Sequence, residues 1–490
     1  MNNFIKALTI NANATETLNG QYASTTTASS VLDLYGTVGA LRNAEQERIL
    51  KLFDKAVAED KFLAAKILFY ARDIREGAGE RLVFRILLNH AANEYPEMVI
   101  PNIPFIGYYG RFDDLYYLMG TKCEDQMWSY MKKQFEQDVE NMKVNKPVSL
   151  LAKWIKTPDA SSDKTRALGI LTSKKLGYPN VKVFKSYLKP LRKYLNIVEI
   201  AVSANSFETI AYERVPSNAM IKYRELFLKK DEDRFNKYLE DVKSGAKKIN
   251  SSTLYPYEFI RKIFFNKYDE TMELQWKSLP NYVEDGDNVL VMADVSGSMT
   301  CCNYLPLSSS IGLAIYFAER AKGAFHNKFM TFSANPVLDS IAGNSLRDKV
   351  HNLNNADWGM DTNLGKAMEV ILNSAIESKA KKEEIPKALI VISDMEINCA
   401  NRGNKLFYDI YRKEFEEAGY EIPNIIFWNV NSLSDVFHAT CDIKGVQLVS
   451  GHSASAFKNV LACLNQTPVE AMLSVLLSDR YANITVDGID

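Results

Sequence analysis

"NVLVMADVSGSMT", residues 288–300, decides the fold of the second half of this chain. A wholly apolar run ends at Asp294, and Ser296 and Ser298 follow at alternate positions. A short run with no polar face, closed by a polar turn, is the pattern of a strand buried on both sides. The pattern returns in "NKFMTFS" (327–333), "KALIVISD" (387–394) and "NIIFWNV" (424–430). Helix-period stretches separate these runs: "SSSIGLAIYFAERAKGAF" (308–325), "TNLGKAMEVILNSAIES" (362–378) and "NKLFYDIYRKEFEEAG" (404–419). Strand alternating with helix predicts a doubly wound, mainly parallel sheet covered on both faces.

Upstream the grammar differs. From about residue 31 to 277 apolar residues recur at three- and four-residue spacing, as in "EQERILKLFDKAVAEDKFLAAKILFYARDI" (45–74), with short Gly, Pro and Asn breaks. Strand alternation is nearly absent. A long run of paired helices without a fixed-length repeat predicts an irregular HEAT-like array, with a helical bundle as the alternative. The expected organisation is an extended polar arm over 1–30, a helical domain over 31–277, a linker over 278–287, an α/β domain over 288–466, and a helix and strand packing back over 467–490.

The 490 residues exceed one ordinary core, and the balance of 47% hydrophobic and 24% charged residues is that of a globular protein. The six cysteines and five histidines are scattered, without a CxxC or HExxH spacing, which argues against a disulfide framework or a structural zinc site. No apolar run is long enough for a signal peptide or a bilayer span, so a cytoplasmic location without membrane attachment is expected. The net charge of -1 conceals an asymmetry: residues 1–280 carry 42 Lys+Arg against 34 Asp+Glu, and the remainder carries 17 against 26. Halves of opposite sign suggest different partners, or each other.

In a doubly wound sheet, ligands bind beyond the carboxyl ends of the strands, where strand order reverses. Asp294 and Asp394 each end a predicted buried strand. Ser296 and Ser298 lie on the loop after the first, and Thr362 opens a helix in "WGMDTNLGKAM" (358–368). Two acids and three hydroxyls are an oxygen-only donor set, which suits a hard cation such as Mg²⁺ that keeps some of its waters. Taken singly, DxSxS is also turn chemistry, and Thr362 with Asp361 beside it is also a helix cap.

Together, these residues resemble the metal-ion-dependent adhesion site of von Willebrand factor type A domains. The resemblance spans 286–465 and implies Asp294, Ser296, Ser298, Thr362 and Asp394 as the ligand set for Mg²⁺ or another divalent cation. Where that family usually has Gly after the last Asp, this chain has Met395 and then Glu396.

The most biased segment is 146–193, with twelve Lys+Arg and only Asp159 and Asp163 against them. It contains Lys153, Lys164, Arg166, Lys174, Lys175, Lys182, Lys185, Lys189, Arg192 and Lys193. Lys182, Lys185 and Lys189 fall on one helical stripe that Arg192 and Lys193 extend. Such a stripe attracts phosphates without specifying bases, and it equally fits a solvated face or a dock for the acidic domain. The nearby Trp154, Phe184, Tyr187 and Tyr194 sit at helical spacing and read as core rather than as stacking platforms.

The order "LLAKWI", "TRALGIL", "YLKPLRKYL", "VPSNAMIKYREL", followed by the A-type domain, resembles the TROVE (Ro autoantigen-like) family from about residue 25 onward. That resemblance implies a ring of HEAT-like helices closed by the A-type domain, and structured or misfolded RNA with a single-stranded end on the basic face. The expectation is a non-enzymatic, monomeric RNA-binding scaffold with a protein or phosphate ligand at the metal site. A metal-dependent protein-interaction module without RNA is the alternative. A hydrolase is disfavoured, because no Ser/His/Asp or Cys/His arrangement presents itself. "ARDIREGAGERLVFR" (71–85) and "GRFDDL" (110–115) read as an inter-helix turn with ion pairs and a helix start with acids at its dipole.

Overall fold

The computed structural model describes residues 12–283, 288–333, 335–354, 362–398, 407–458 and 460–488. A six-stranded sheet forms from β3 (Val289–Ala293), β4 (Lys328–Thr331), β5 (Leu338–Ser340), β6 (Ala388–Ser393), β7 (Asn424–Asn429) and β8 (Val446–Ser450), in the order β5-β4-β3-β6-β7-β8. All pairings are parallel except the edge pair β4–β5. The chain moves outward one way from β3 through β4 and β5, then returns to the other side at β6. The reversal of order therefore falls between β3 and β6.

Alternating side chains of the central strands separate into two cores. Leu290, Met292, Leu389, Val391, Ile425 and Phe427 enter one cluster; Val291, Ile390, Ile392, Ile426 and Trp428 enter the other. The first face is covered by helix Leu364–Ser378, helix Phe407–Glu417 and, from far upstream, helix Ser30–Thr37. The second face is covered by the helical element Cys301–Arg320, helix Leu346–Asn354 and helix Pro256–Phe264.

The helical half thus begins on one face of the sheet and ends on the other. Two glycines allow these approaches. At Gly39 a Cβ would stand 2.4 Å from the Ser450 carbonyl oxygen, and at Gly312 it would stand 2.8 Å from the Pro256 backbone. Between the two attachments, residues 198–249 carry a core of their own around Phe227, Phe235 and Tyr238. Near the loop after β8 the two ends of the run come close together. Ser455 Oγ donates to the Gly77 carbonyl at 3.3 Å, while the His452 ring packs edge-on to Tyr257.

Within residues 1–30 the described part holds a hairpin, β1 (Ala14–Glu16) with β2 (Tyr22–Ser24). The tail forms helix Pro468–Leu476 and a 3-10 turn at Asp479–Tyr481 in place of the expected strand. It packs on the early helices: Arg480 is bidentate to buried Asp73 at 2.6–2.7 Å, and Lys66 Nζ donates to the Tyr481 carbonyl at 2.6 Å. The "GRFDDL" segment is a 3-10 helix, Phe112–Leu118. Asp114 caps its start through the Arg111 amide and pairs with Arg72 and Arg85 of the "ARDIREGAGERLVFR" segment. The contacts show the ion pairs expected of the first segment and the helix start expected of the second, whose acids also take part in those pairs. No helix among the described residues is long and apolar enough to cross a membrane.

Candidate functional site

Adjacent parallel strands β3 and β6 deliver Asp294 and Asp394 side by side at their carboxyl ends. The ladder continues one step past β3, with the Asp294 amide donating to the Ile392 carbonyl at 2.9 Å. Both acids are 1% exposed. Asp294 accepts from the Ser296 amide through Oδ1 at 2.8 Å and from the Ser393 hydroxyl through Oδ2 at 2.7 Å. Asp394 Oδ1 accepts from the Glu396 amide at 3.1 Å, and its Oδ2 is buried with no hydrogen-bond partner. Ser296 and Ser298 stand with their hydroxyls 3.1 Å apart on the exposed rim.

Burial, and then the charge of Asp394, push the Asp294 carboxyl well above its usual range. Asp394 is raised too, chiefly by burial, with the Ser298 hydroxyl acting against the shift. Two buried acids with one orphan oxygen and a hydroxyl rim are an unbalanced set, which a proton or a cation on the rim would balance.

Thr362 is held by the loop after β6. Its hydroxyl donates to Asn398 Oδ1 at 2.9 Å, and its carbonyl accepts from the Asn398 amide at 3.0 Å. It is thereby tied to the loop after β6; Asp361 lies outside the described residues. Among these residues no group of three His, Cys, Asp or Glu gathers as a metal cluster, so any cation here relies on hydroxyls and water beside the two acids.

Sequence reasoning missed what holds this loop. Ser393 bridges toward both acids, and Met395 takes a left-handed φ of 70°. Glu396 is buried, its charge reaches Asp394, and its carboxylate's hydrogen bonds go to the N-terminal hairpin and to Ser434. Its Oε2 accepts from the Leu18 amide at 2.6 Å, its Oε1 accepts from the Ser434 hydroxyl at 2.5 Å, and its carbonyl accepts from Asn19 Nδ2 at 2.6 Å. Thr17 Oγ1 adds a bond to the Ile397 carbonyl at 2.7 Å. The N-terminal hairpin therefore clamps the loop that presents Asp394, with Leu18 77% exposed at its tip. A polar residue closing an otherwise apolar strand was the one visible hint of Ser393. On the first loop, Cys302, Asn303 and Tyr304 form a left-handed turn (φ 54–59°) before the long helix.

The basic segment folds as helix Asp163–Lys175 and helix Val181–Tyr194. Lys164, Lys174, Lys182, Lys189 and Lys193 are exposed and have no ion pair among the described residues. Lys185 pairs with Asp159 at 2.6 Å, Lys175 with Glu124 at 3.4 Å, and Arg166 with Asp163. Lys153 is half-buried with its ammonium 5.5 Å from the Trp154 ring. Arg192 differs from expectation. Its guanidinium donates to the Ala152 and Ile155 carbonyls at 2.8 Å, which takes it off the exposed stripe and makes it a brace between helices. Of the aromatics, Phe184 is buried and Trp154 lies 3.8 Å beneath Arg111, but Tyr187 and Tyr194 are each 39% exposed. These two are not core.

Residues 288–475 match the family model of a domain of unknown function, DUF7788, and residues 17–128 and 180–287 match that of another, DUF2828. An uncharacterized protein of Acanthamoeba polyphaga mimivirus is 27% identical over 515 residues, covering 95% of this chain and 87% of its own. The crystal structure of the Deinococcus radiodurans Ro (RSR) protein aligns with a TM-score of 0.41 at 13% identity, covering 91% of this chain and 92% of that one.

Proposed function

We propose that this protein is a non-enzymatic RNA-binding scaffold, a HEAT-like helical array closed into a ring through the α/β domain, which holds structured or misfolded RNA on its basic helical surface. The observation that carries the reading is the set of five exposed, unpaired lysines on two consecutive helices: Lys164, Lys174, Lys182, Lys189 and Lys193. Unpaired ammonium groups gathered on neighbouring helices are an electrostatic footprint for a polyphosphate. The sequence resemblance to the TROVE family supports RNA as that polyphosphate, and the start and end of the helical run on opposite faces of one sheet support the ring.

Fluorescence anisotropy with a labelled structured RNA bearing a free single-stranded end tests this. Reversing Lys182, Lys189 and Lys193 to Glu is expected to weaken binding and to lower the slope of log K against log salt by about 2–3. Affinity and slope equal to wild type would remove RNA from this face.

A second reading is favoured by the unpartnered Asp394 Oδ2: Asp294, Ser296, Ser298, Thr362 and Asp394 hold Mg²⁺ or a similar divalent cation. The Asp394 oxygen and the rim hydroxyls are its direct donors, and the remaining positions stay open for water or for a carboxylate or phosphate of a partner. On this reading alone the protein is a metal-dependent interaction module. Partner capture that needs Mg²⁺, is lost in Asp294→Ala and brings no nucleic acid would favour it over the scaffold.

A further inference from the structure

We infer that the seam between the C-terminal end of helix Glu124–Lys143 and helix Val181–Tyr194 is a stacking ledge for single-stranded RNA, with Tyr187 and Tyr194 as its two platforms. The inference rests on the RNA-binding reading above and deepens it by naming the strandedness of the ligand and the rings that take it.

Tyr187 and Tyr194 lie seven residues apart on one helix, so they share a side and stand about 10 Å apart along the axis. Both rings are exposed to the same extent, and both are braced. Tyr178 packs against Tyr187 at 5.5 Å between centroids, and the Tyr194 hydroxyl donates to the Lys146 carbonyl at 3.0 Å. A ring held at its edge while more than a third of it meets solvent loses little freedom when a base settles on it.

Cations border the ledge. Lys143 lies near Tyr187 and exposed Lys146 follows it; Lys193 stands about 100° round the helix from Tyr194, whereas Lys189 lies on the far side of the helix. Lys143 pairs with Glu140 at 2.7 Å, but both are more than half exposed, and such a pair yields readily to a phosphate. Val144, 63% exposed, lies where the two helices meet and adds apolar surface to the seam.

Rings beside lysines fit a chain that carries phosphates outside and flat bases within reach. A duplex keeps its base faces stacked internally and meets only the lysines. An acidic polypeptide would likewise use the charges and leave the rings idle.

The test compares a short labelled oligouridylate with a blunt-ended RNA duplex, using the full chain. Tyr187→Ala with Tyr194→Ala is expected to weaken single-strand binding by about 5- to 150-fold per ring while duplex binding stays within about twofold. Tyr187→Phe with Tyr194→Phe, which keeps both π-faces but loses the Tyr194 brace, is expected to bind the single strand within about threefold of wild type. It also serves as the measure should the alanine pair fail to fold. Wild-type protein that binds neither RNA overturns the RNA reading and the ledge with it. Wild-type protein that binds the oligouridylate equally well without the two rings overturns the ledge alone. Equal loss on both RNAs, a Phe pair as weak as the Ala pair, or competition by polyglutamate as effective as unlabelled oligouridylate would also overturn it.

Discussion

At the scale of single residues, the crevice between β3 and β6 is defined by an excess of negative charge. Asp394→Asn removes one of two buried like charges and leaves a neutral amide at the orphan position. Thermal melts without metal are expected to show stabilisation on the order of 1–2 kcal/mol at neutral pH, with any Mg²⁺-induced rise in Tm abolished. The pH dependence has a definite sign. A carboxyl whose folded pKa is raised keeps its proton longer when folded than when unfolded. Its contribution is therefore present below the ordinary Asp range and fades as pH climbs through the raised value. On the metal-site reading a cation would take the place of the missing proton, so the Mg²⁺-induced rise in Tm is expected to be small at about pH 5 and larger at about pH 7.5. A rise independent of pH would separate the cation from these acids.

Asp294, Ser296, Ser298 and Asp394 were legible because strand endings and alternate spacing are local signals. Glu396 was not, since its partner amide belongs to Leu18, 378 positions away. Tyr187 and Tyr194 were misread for a different reason. They border the buried stripe of Phe184, Leu188 and Leu191, where periodicity does not distinguish an edge from a core.

At the scale of elements, the N-terminal hairpin is a short two-stranded unit that has little stability alone and depends on its docking. The Glu396 carboxylate is central to that docking. Glu396→Gln keeps the size but presents an amide to the Leu18 donor, and a hydrogen bond to a charged acceptor contributes about 1.5–3 kcal/mol. Amide exchange across residues 14–24 is expected to quicken by about 10- to 100-fold, read by hydrogen-exchange mass spectrometry, while strands β6 and β7 stay protected. The four strands with clean apolar runs were legible. β8 escaped because Gln447 interrupts its run; the side chain is buried and donates to the Cys463 and Gln466 carbonyls at 2.9 and 3.2 Å. β5 is a three-residue edge strand with an Asp and a Ser, too short to carry a period.

At the scale of the whole molecule, the two compositional halves are not two independent bodies. Helix Ser30–Thr37 belongs to the core of the sheet, and the C-terminal tail belongs to the core of the early helices. Composition located the change of grammar near residue 280 but not this exchange, because interdigitation is a matter of long-range packing. The tie at Arg480 measures it. Asp73 is fully buried, and Arg480→Ala would leave it without its counter-charge. Removing one partner of such a pair is expected to cost about 3–5 kcal/mol in denaturant unfolding.

The contact of Gly39 with Ser450 joins positions 411 residues apart. During synthesis at about 5–20 residues per second, the apolar surface of Val31, Leu32, Leu34 and Leu41 leaves the ribosome roughly 20–80 s before the strand that covers it. Newborn chains must spend that interval with this apolar surface only partly covered, so a chaperone that holds the early helices is expected to raise the yield of folded protein.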